Sequence, residues 1–153
     1  MAIEGVEVKK LTIHVDERGR LMEILRIDDS MFKKFGQVYY TATNPGFVKA
    51  WHYHKIQTDY FTCLQGKMRL VLYDDRKNSK TKGQIQEFII SPENPILVSI
   101  PPGIYHGFES ADNKEAVALN IPTELYNREH PDEYRLPFNT DKIPFKWNGK
   151  KGG

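Results

Sequence analysis

Apolar and polar positions alternate with a period of two along most of this chain, the mark of strands that bury one face. The pattern predicts strands at Val6–Val15, Arg20–Arg26, Gln37–Thr43, Phe47–His54, Tyr60–Leu64, Met68–Tyr73, Ile85–Ile90, Ile96–Ile100 and Ala116–Ile121. Only Asp29–Phe35 reads as a helix: an aspartate cap, then Met31, Phe32 and Phe35 on one side. Turn formers stand between the strands, at Asn44-Pro45-Gly46, Gln65-Gly66, Asn78–Gly83, Pro92–Pro95 and Pro101-Pro102-Gly103. Many short strands at close spacing predict an all-β sandwich or closed barrel with one short helix. From about residue 122 the alternation dissolves into an irregular segment whose end, Ile143–Trp147, carries enough aromatic surface to pack back on the body.

Composition changes this picture little. With 39% apolar and 27% charged residues, the 153-residue chain reads as one ordinary globular domain, 1–153. No apolar run is long enough to cross a bilayer, and the N-terminal residues lack a signal-peptide pattern. One cysteine, Cys63, cannot pair within the chain, so a cytoplasmic location is expected. A net charge of +2 gives no argument for nucleic acid, and the lysines at 77, 80 and 82 and at 146, 150 and 151 read as a solvated loop and tail.

Chemistry concentrates on Phe47–Lys55. Strict alternation puts Val48, Ala50, His52 and His54 on one face, and Phe47, Lys49, Trp51, Tyr53 and Lys55 on the other. The two histidines then sit about 7 Å apart along one strand, facing inward with Val48 and Ala50. A single histidine is most simply a surface or hydrogen-bonded residue; an inward pair demands partners. The spacing extends on both sides. Gly46 is followed by five residues, His52, one residue, His54, four residues, Asp59, six residues and Gly66; later come Pro101-Pro102-Gly103, two residues and His106. This arrangement resembles the two motifs of the cupin superfamily, with Asp59 where glutamate is usual and Ser110 where asparagine is usual. The resemblance implies a cupin (jelly-roll) β-barrel. It also opens a metal-dependent reading: three imidazoles and a carboxylate, His52, His54, Asp59 and His106, suit a divalent transition metal.

A longer resemblance competes with the metal clamp. Asp16-Glu-Arg-Gly19 with Glu23, Lys49-Ala-Trp-His52-Tyr, Val71–Arg76, Ser91-Pro-Glu-Asn94, Ile100–Phe108 and Ile143–Trp147 are similar to the dTDP-4-dehydrorhamnose 3,5-epimerase family. His52-Tyr-His54-Lys55 resembles the related 3,4-ketoisomerases. The resemblance implies a metal-free isomerase acting beside the ketone of a nucleoside-diphosphate 4-keto-6-deoxy sugar, in deoxysugar and polysaccharide biosynthesis. A carbon acid next to a ketone needs a base with a pKa near neutrality, which histidine provides. His52 matches the family's catalytic base, and His54 the second proton carrier of the ketoisomerases. Arg18, Glu23 and Lys49 match substrate-contacting positions, with a turn residue or an exposed strand residue as the plain alternative for Arg18 and Glu23. Lys49, which strict alternation points away from His52, needs either a bulge to turn it or a partner subunit on the outer face. Lys55, Gln57, Asp59 and His106 are expected to line the cavity.

The resemblance shows two family features replaced and leaves a third between two residues. Asp59 stands where the family has a lysine, Ala118 or Leu119 falls at the opposite-face tyrosine, and Thr140 or Asp141 falls at the aspartate that pairs with the base. Tyr126 and Tyr105 are spare acids, Tyr126 being the one taken as catalytic. A non-catalytic sugar-nucleotide-binding cupin is the third reading. Trp51, Phe108, Trp147 and Cys63 read as packing residues, and His14 and His130 as surface residues. The resemblance further implies a homodimer, which would also cover Phe47, Trp51 and Tyr53 on the outer face of the histidine strand.

Overall fold

The computed structural model describes residues 2–153 as two antiparallel sheets packed face to face, with a small hairpin at one side. The first sheet contains β1 (Glu7–Lys10), β4 (Tyr39–Thr43), β6 (Asp59–Gln65), β9 (Ile96–Ile100) and β11 (Ala116–Asn120). Its spatial order is β1-β9-β6-β11-β4. The second contains β5 (Phe47–Tyr53), β7 (Met68–Asp74), β8 (Ile85–Ile90), β10 (Ile104–Ser110) and β12 (Tyr134–Arg135), ordered β12-β5-β10-β7-β8. The short β13 (Lys151–Gly152) adds to β5 in parallel. The hairpin is β2 (Ile13–Asp16) with β3 (Gly19–Met22).

The alternation found in the sequence becomes three apolar layers. Between the sheets lie Phe61, Val98, Ile100 and Ala118 from one side and Met68, Leu70, Leu72, Ile90 and Phe108 from the other. Outside the first sheet, Leu11 and Met31 cover Tyr60 and Leu97. Outside the second, the tail residues Ile143 and Trp147 cover Val48, Ala50, Trp51 and Val71. Trp147 and Phe145 meet Trp51 at ring-centroid distances of 4.9 and 5.9 Å. The tail is held by the buried Glu109, which accepts the Gly149 amide at 2.9 Å and pairs with Arg69 at 3.2 Å.

Several expectations change. The predicted helix at Asp29–Phe35 is a turn segment; no helix forms among the described residues. Seven residues are too few to nucleate a helix alone, and a better partner is at hand. The Tyr60 hydroxyl donates to the Met31 carbonyl (2.7 Å) and accepts the Lys33 amide (3.0 Å), while Asp29 pairs with Lys9. The stretch Val6–Val15 divides into β1 and β2, which join different sheets. The strand β10, which carries His106, was absent from the alternation pattern because Gly107 and the charged Glu109 interrupt it.

The largest correction concerns the histidine strand. His52 pairs with His106 but Lys49 pairs with Phe108, so three steps on β5 match two on β10. This is a β-bulge: Ala50 and Trp51 together oppose Gly107. The peptide between them is cis. Alternation therefore slips by one residue. Val48, Ala50 and Trp51 all face the outer layer, while Lys49, His52 and His54 face the space between the sheets. Gly107 is required here for contact reasons, since a Cβ on it would stand 2.3 Å from the Ala50 Cβ.

Candidate active site

Lys49, His52 and His54 open onto a cavity of about 350 Å³ between the sheets, walled on the far side by Tyr39, Thr41 and Phe61. His106 and Phe108 form its floor on β10, and Glu133 and Arg135 reach its rim from the C-terminal segment. A larger hollow of about 790 Å³ lies under the tail, but its lining, Phe138 to Lys150, holds no histidine. The chemistry resides in the smaller space.

Asp59 is the hub. Its Oδ2 lies 3.1 Å from His54 Nε2 and 3.4 Å from His106 Nε2. Its Oδ1 accepts Gln57 Nε2 at 2.7 Å and Asn120 Nδ2 at 3.0 Å. Behind the rings, His54 Nδ1 meets the Asp132 carbonyl and His106 Nδ1 meets the Ile104 carbonyl at 3.1 Å. These carbonyls assign the Nδ1 protons and turn both Nε2 atoms toward Asp59. The Asp132 carboxylate also accepts the amides of Lys55, Ile56 and Gln57, which shapes the loop between His54 and Asp59.

The histidines titrate in opposite directions. Burial opposes a charge on His54, but the hydrogen bond and charge of Asp59 outweigh it and raise its pKa. Burial likewise opposes the charged Asp59, and His54, His106 and Asn120 outweigh it, so Asp59 is held below the usual carboxylate range. His54 Nε2 thus faces a carboxylate that favours the protonated ring. His52 differs: burial, then the positive neighbours His106, Arg135 and His54, push its pKa down to about 3. Its ring, 5.5 Å from that of His106, makes no hydrogen bond among the described residues. His106, wholly enclosed, is also depressed, by burial first. His52 is therefore a neutral imidazole with a lone pair to offer.

The remaining sequence candidates distribute unevenly. Gln57 and Asp59 act from behind the rings. Lys49 reaches across the cavity, its Nζ donating to Thr41 Oγ1 at 2.7 Å. Lys55 instead lies over the Tyr134 ring, 4.3 Å from its centroid, outside the cavity lining. Arg18 pairs with Asp16 on the exposed β2–β3 hairpin, and Glu23 pairs with Arg26, so neither lines the cavity of its own chain. Tyr126, taken as the acid, is half exposed outside the lining, where irregular chain after β11 leaves it anchored only through its amide to Gln37. Tyr105 packs against Tyr53 on the outer face, and Thr140 and Asp141 line the hollow under the tail. Ala118 is buried in the core.

Missed by the sequence reading were Tyr39, Thr41, Asn120, Asp132, Glu133 and Arg135. Asn120 gave a signal, a lone amide in the apolar run Ala116–Ile121. The last three gave none, because β12 pairs with β5 across some eighty positions of sequence.

A stability profile tests these protonation states. His52 and His106 have folded pKa values below the unfolded value of about 6.5, so the native state binds fewer protons and loses stability as pH falls below it. His54 acts with the opposite sign, its contribution complete below about pH 6.5 and lost as pH rises through its raised pKa. The melting temperature should fall from pH 7 to pH 5, each buried neutral ring contributing up to about 1.4 kcal/mol per pH unit. His52→Asn should flatten that slope. A slope unchanged in the variant would show that His52 is not depressed.

Comparison with known proteins agrees with this architecture. The family model for dTDP-4-dehydrorhamnose 3,5-epimerase matches residues 1–151. A spore coat polysaccharide biosynthesis protein of Bacillus subtilis is 39% identical over 95% of this chain and 97% of that protein. A probable low-salt glycan biosynthesis epimerase of Haloferax volcanii is also 39% identical, over 99% of this chain and 98% of its own length. The crystal structure of a dTDP sugar isomerase from Desulfovibrio desulfuricans superposes with a TM-score of 0.90 at 31% identity, covering 96% of this chain and 93% of that one. A neutral histidine in a jelly-roll cavity, and matches that run almost from end to end, lead to one assignment: the chain belongs to the dTDP-4-dehydrorhamnose 3,5-epimerase family.

Proposed function

We propose that this protein epimerises a nucleoside-diphosphate 4-keto-6-deoxy sugar at a carbon beside the ketone, as a step in polysaccharide biosynthesis. The observation that carries the reading is the neutral His52 imidazole, unpartnered in a cavity that also holds Lys49 and Arg135. Lys49, with Arg135 held beside it by Glu133 at 3.0 Å, gives this partly enclosed space guanidinium and ammonium donors that suit a diphosphate. Arg135 also helps depress His52, so an anion seated on Arg135 strengthens the base at the moment substrate is present. The His52 lone pair takes the proton α to the ketone, and the cations stabilise the negative charge that moves to the carbonyl oxygen. No cofactor enters this scheme. A cytoplasmic setting is in keeping with Cys63, a buried free thiol.

Incubation of wild-type protein with such a sugar nucleotide in deuterated water should place deuterium on carbon 3 or carbon 5. His52→Asn should lower that exchange by about 10²-fold or more. Binding of the sugar nucleotide with no exchange would instead mark a non-catalytic binding protein.

A homodimer belongs to this reading. Val15 and Leu21 are exposed on the β2–β3 hairpin, and Tyr40 and Phe47 on the strands nearby. Pairing of two chains through these surfaces is the simplest way for Arg18 and Glu23 to serve a cavity that their own chain keeps from them. Light scattering should give the mass of two chains; a monomer at micromolar concentration would refute the pairing.

A second reading is favoured by one observation. His54 Nε2, Asp59 Oδ2 and His106 Nε2 converge, all three within 4.8 Å of one another. Carbonyls behind both Nδ1 atoms orient imidazoles as metal-bound histidines are oriented. His52 is not in this group, so the four-ligand set reduces to three. When bound there, a divalent transition metal would supply Lewis-acid chemistry to the cavity. Elemental analysis checks it. Near-stoichiometric metal, with activity lost on chelation, would favour the metal; trace content that reconstitution cannot raise, with exchange intact, would defeat it.

A further inference from the structure

Inversion at a carbon needs a proton removed from one face and another delivered to the opposite face. His52 accounts for the first, and the position where the family resemblance led to a tyrosine acid holds the buried Ala118. We propose that the hydroxyl of Tyr39 is the missing general acid, delivering the second proton from the wall opposite His52. This rests on the reading of His52 as base.

Topology gives the first support. Tyr39 lies on β4 in one sheet and His52 on β5 in the other, and the cavity between the sheets is lined by both. The two strands run away from a shared turn at Asn44–Gly46. The Lys49–Thr41 contact at 2.7 Å fixes which residues face each other. Two residues back from Thr41 on the same face is Tyr39; the next cavity-facing residue after Lys49, past the bulge, is His52. The pair therefore flanks the cavity one level above Lys49 and Thr41.

Hydrogen bonding gives independent support. Asn120 Oδ1 accepts the Tyr60 amide at 3.1 Å, which fixes the orientation of the side-chain amide and makes Nδ2 the donor on its other side. Nδ2 donates to the Tyr39 oxygen at 3.0 Å and to Asp59 Oδ1 at 3.0 Å. The Tyr39 oxygen is thus an acceptor toward Asn120, and its own hydrogen has no acceptor among the described residues. It is left to point into the cavity. One edge of Tyr39 is open to solvent, the residue being 42% exposed. Burial of its hydroxyl end, together with the negative charges of Asp59 and Glu133, nonetheless pushes the phenol pKa up to about 12 against the opposing Asn120 bond, so the proton stays in place until a stronger base, such as an enolate carbon, meets it. Asn120 positions Tyr39 and reaches the His54–Asp59 pair with the same nitrogen.

The proton balance closes. His52 takes the carbon-bound proton, and the electron pair left behind forms the enolate. The Tyr39 O–H bond then breaks, a C–H bond forms on the other face, and the enolate returns to the ketone. The resulting phenolate takes a proton from water and the imidazolium loses one, with no co-reactant.

Product stereochemistry in deuterated water tests the assignment within a single sample, so partial loss of folded protein does not confuse it. Wild-type protein should give inverted, deuterium-labelled sugar. Tyr39→Phe should invert about 10²-fold more slowly or worse, yet still exchange deuterium with retained configuration through the intact His52. Tyr73→Phe, altered on β7 outside the cavity lining, should match wild type. Inversion by Tyr39→Phe at the wild-type rate would overturn the proposal, and so would equal loss of exchange and inversion with substrate binding intact. Either result leaves the His52 reading standing provided His52→Asn is inactive. Absence of exchange in wild-type protein with every sugar nucleotide tried would instead bring down the His52 reading, and this proposal with it.

Discussion

One extra residue in β5, accommodated opposite Gly107, organises both sides of the second sheet. Without it, and with His52 still facing inward, Lys49 would share the outer face with Trp51, and Val48 and Ala50 would turn into the cavity. With it, Val48, Ala50 and Trp51 form a continuous apolar surface on the outside, and Lys49, His52 and His54 form a polar row on the inside. The outer surface is what the aromatic tail packs against, and large side chains of this kind contribute about 1.5–3 kcal/mol each when fully buried. Docking of the tail brings its preceding segment back along β5, so that Arg135 pairs with His52 as Tyr134 stacks on Tyr53 at 5.0 Å. The rim cations of the cavity therefore depend on packing done on the opposite face of the same strand. The smallness of Gly107 is the condition for all of it, since any side chain there would collide with Ala50.

This bulge also marks the boundary of what alternation could reveal. Strand existence was legible because period-two burial is a local property: Met68–Asp74 and Ile96–Ile100 lie where their apolar runs put them. The spacing of His52, His54, Asp59 and His106 was legible because the motif is local within each strand. The facing of Lys49 was not, because a register slip depends on the partner strand. Glu133 and Arg135 were invisible for the same kind of reason, being placed by pairing between distant segments. Tyr39 was hidden differently. Its strand was found, but two tyrosines in succession, Tyr39 and Tyr40, give no local clue as to which one faces inward.

Two histidines separated by a single residue end with opposite protonation, and the difference lies in what each ring can reach. His54 has Asp59 at 3.1 Å, close enough that a charge-assisted bond outweighs desolvation. His52 makes no such bond, and the more distant charge of Asp59 does not offset desolvation and the neighbours His106, Arg135 and His54. Asp59 occupies the position where the family resemblance led to a lysine, and that exchange reverses the local charge. A lysine there would disfavour a charge on either ring; the aspartate favours it on His54. The Asp59–His54 pair is compensated within itself and Arg135 is paired with Glu133 at 3.0 Å, which leaves Lys49 as the uncompensated cation facing an incoming anion. Asn120 joins this neutral pair to the Tyr39 hydroxyl through one nitrogen. Asp59 and Tyr39 are therefore linked in this chain: the same amide that satisfies the aspartate also donates to the phenol. The Tyr60 amide holds Asn120 from its Oδ1 side, so Nδ2 faces both the aspartate and the phenol at once.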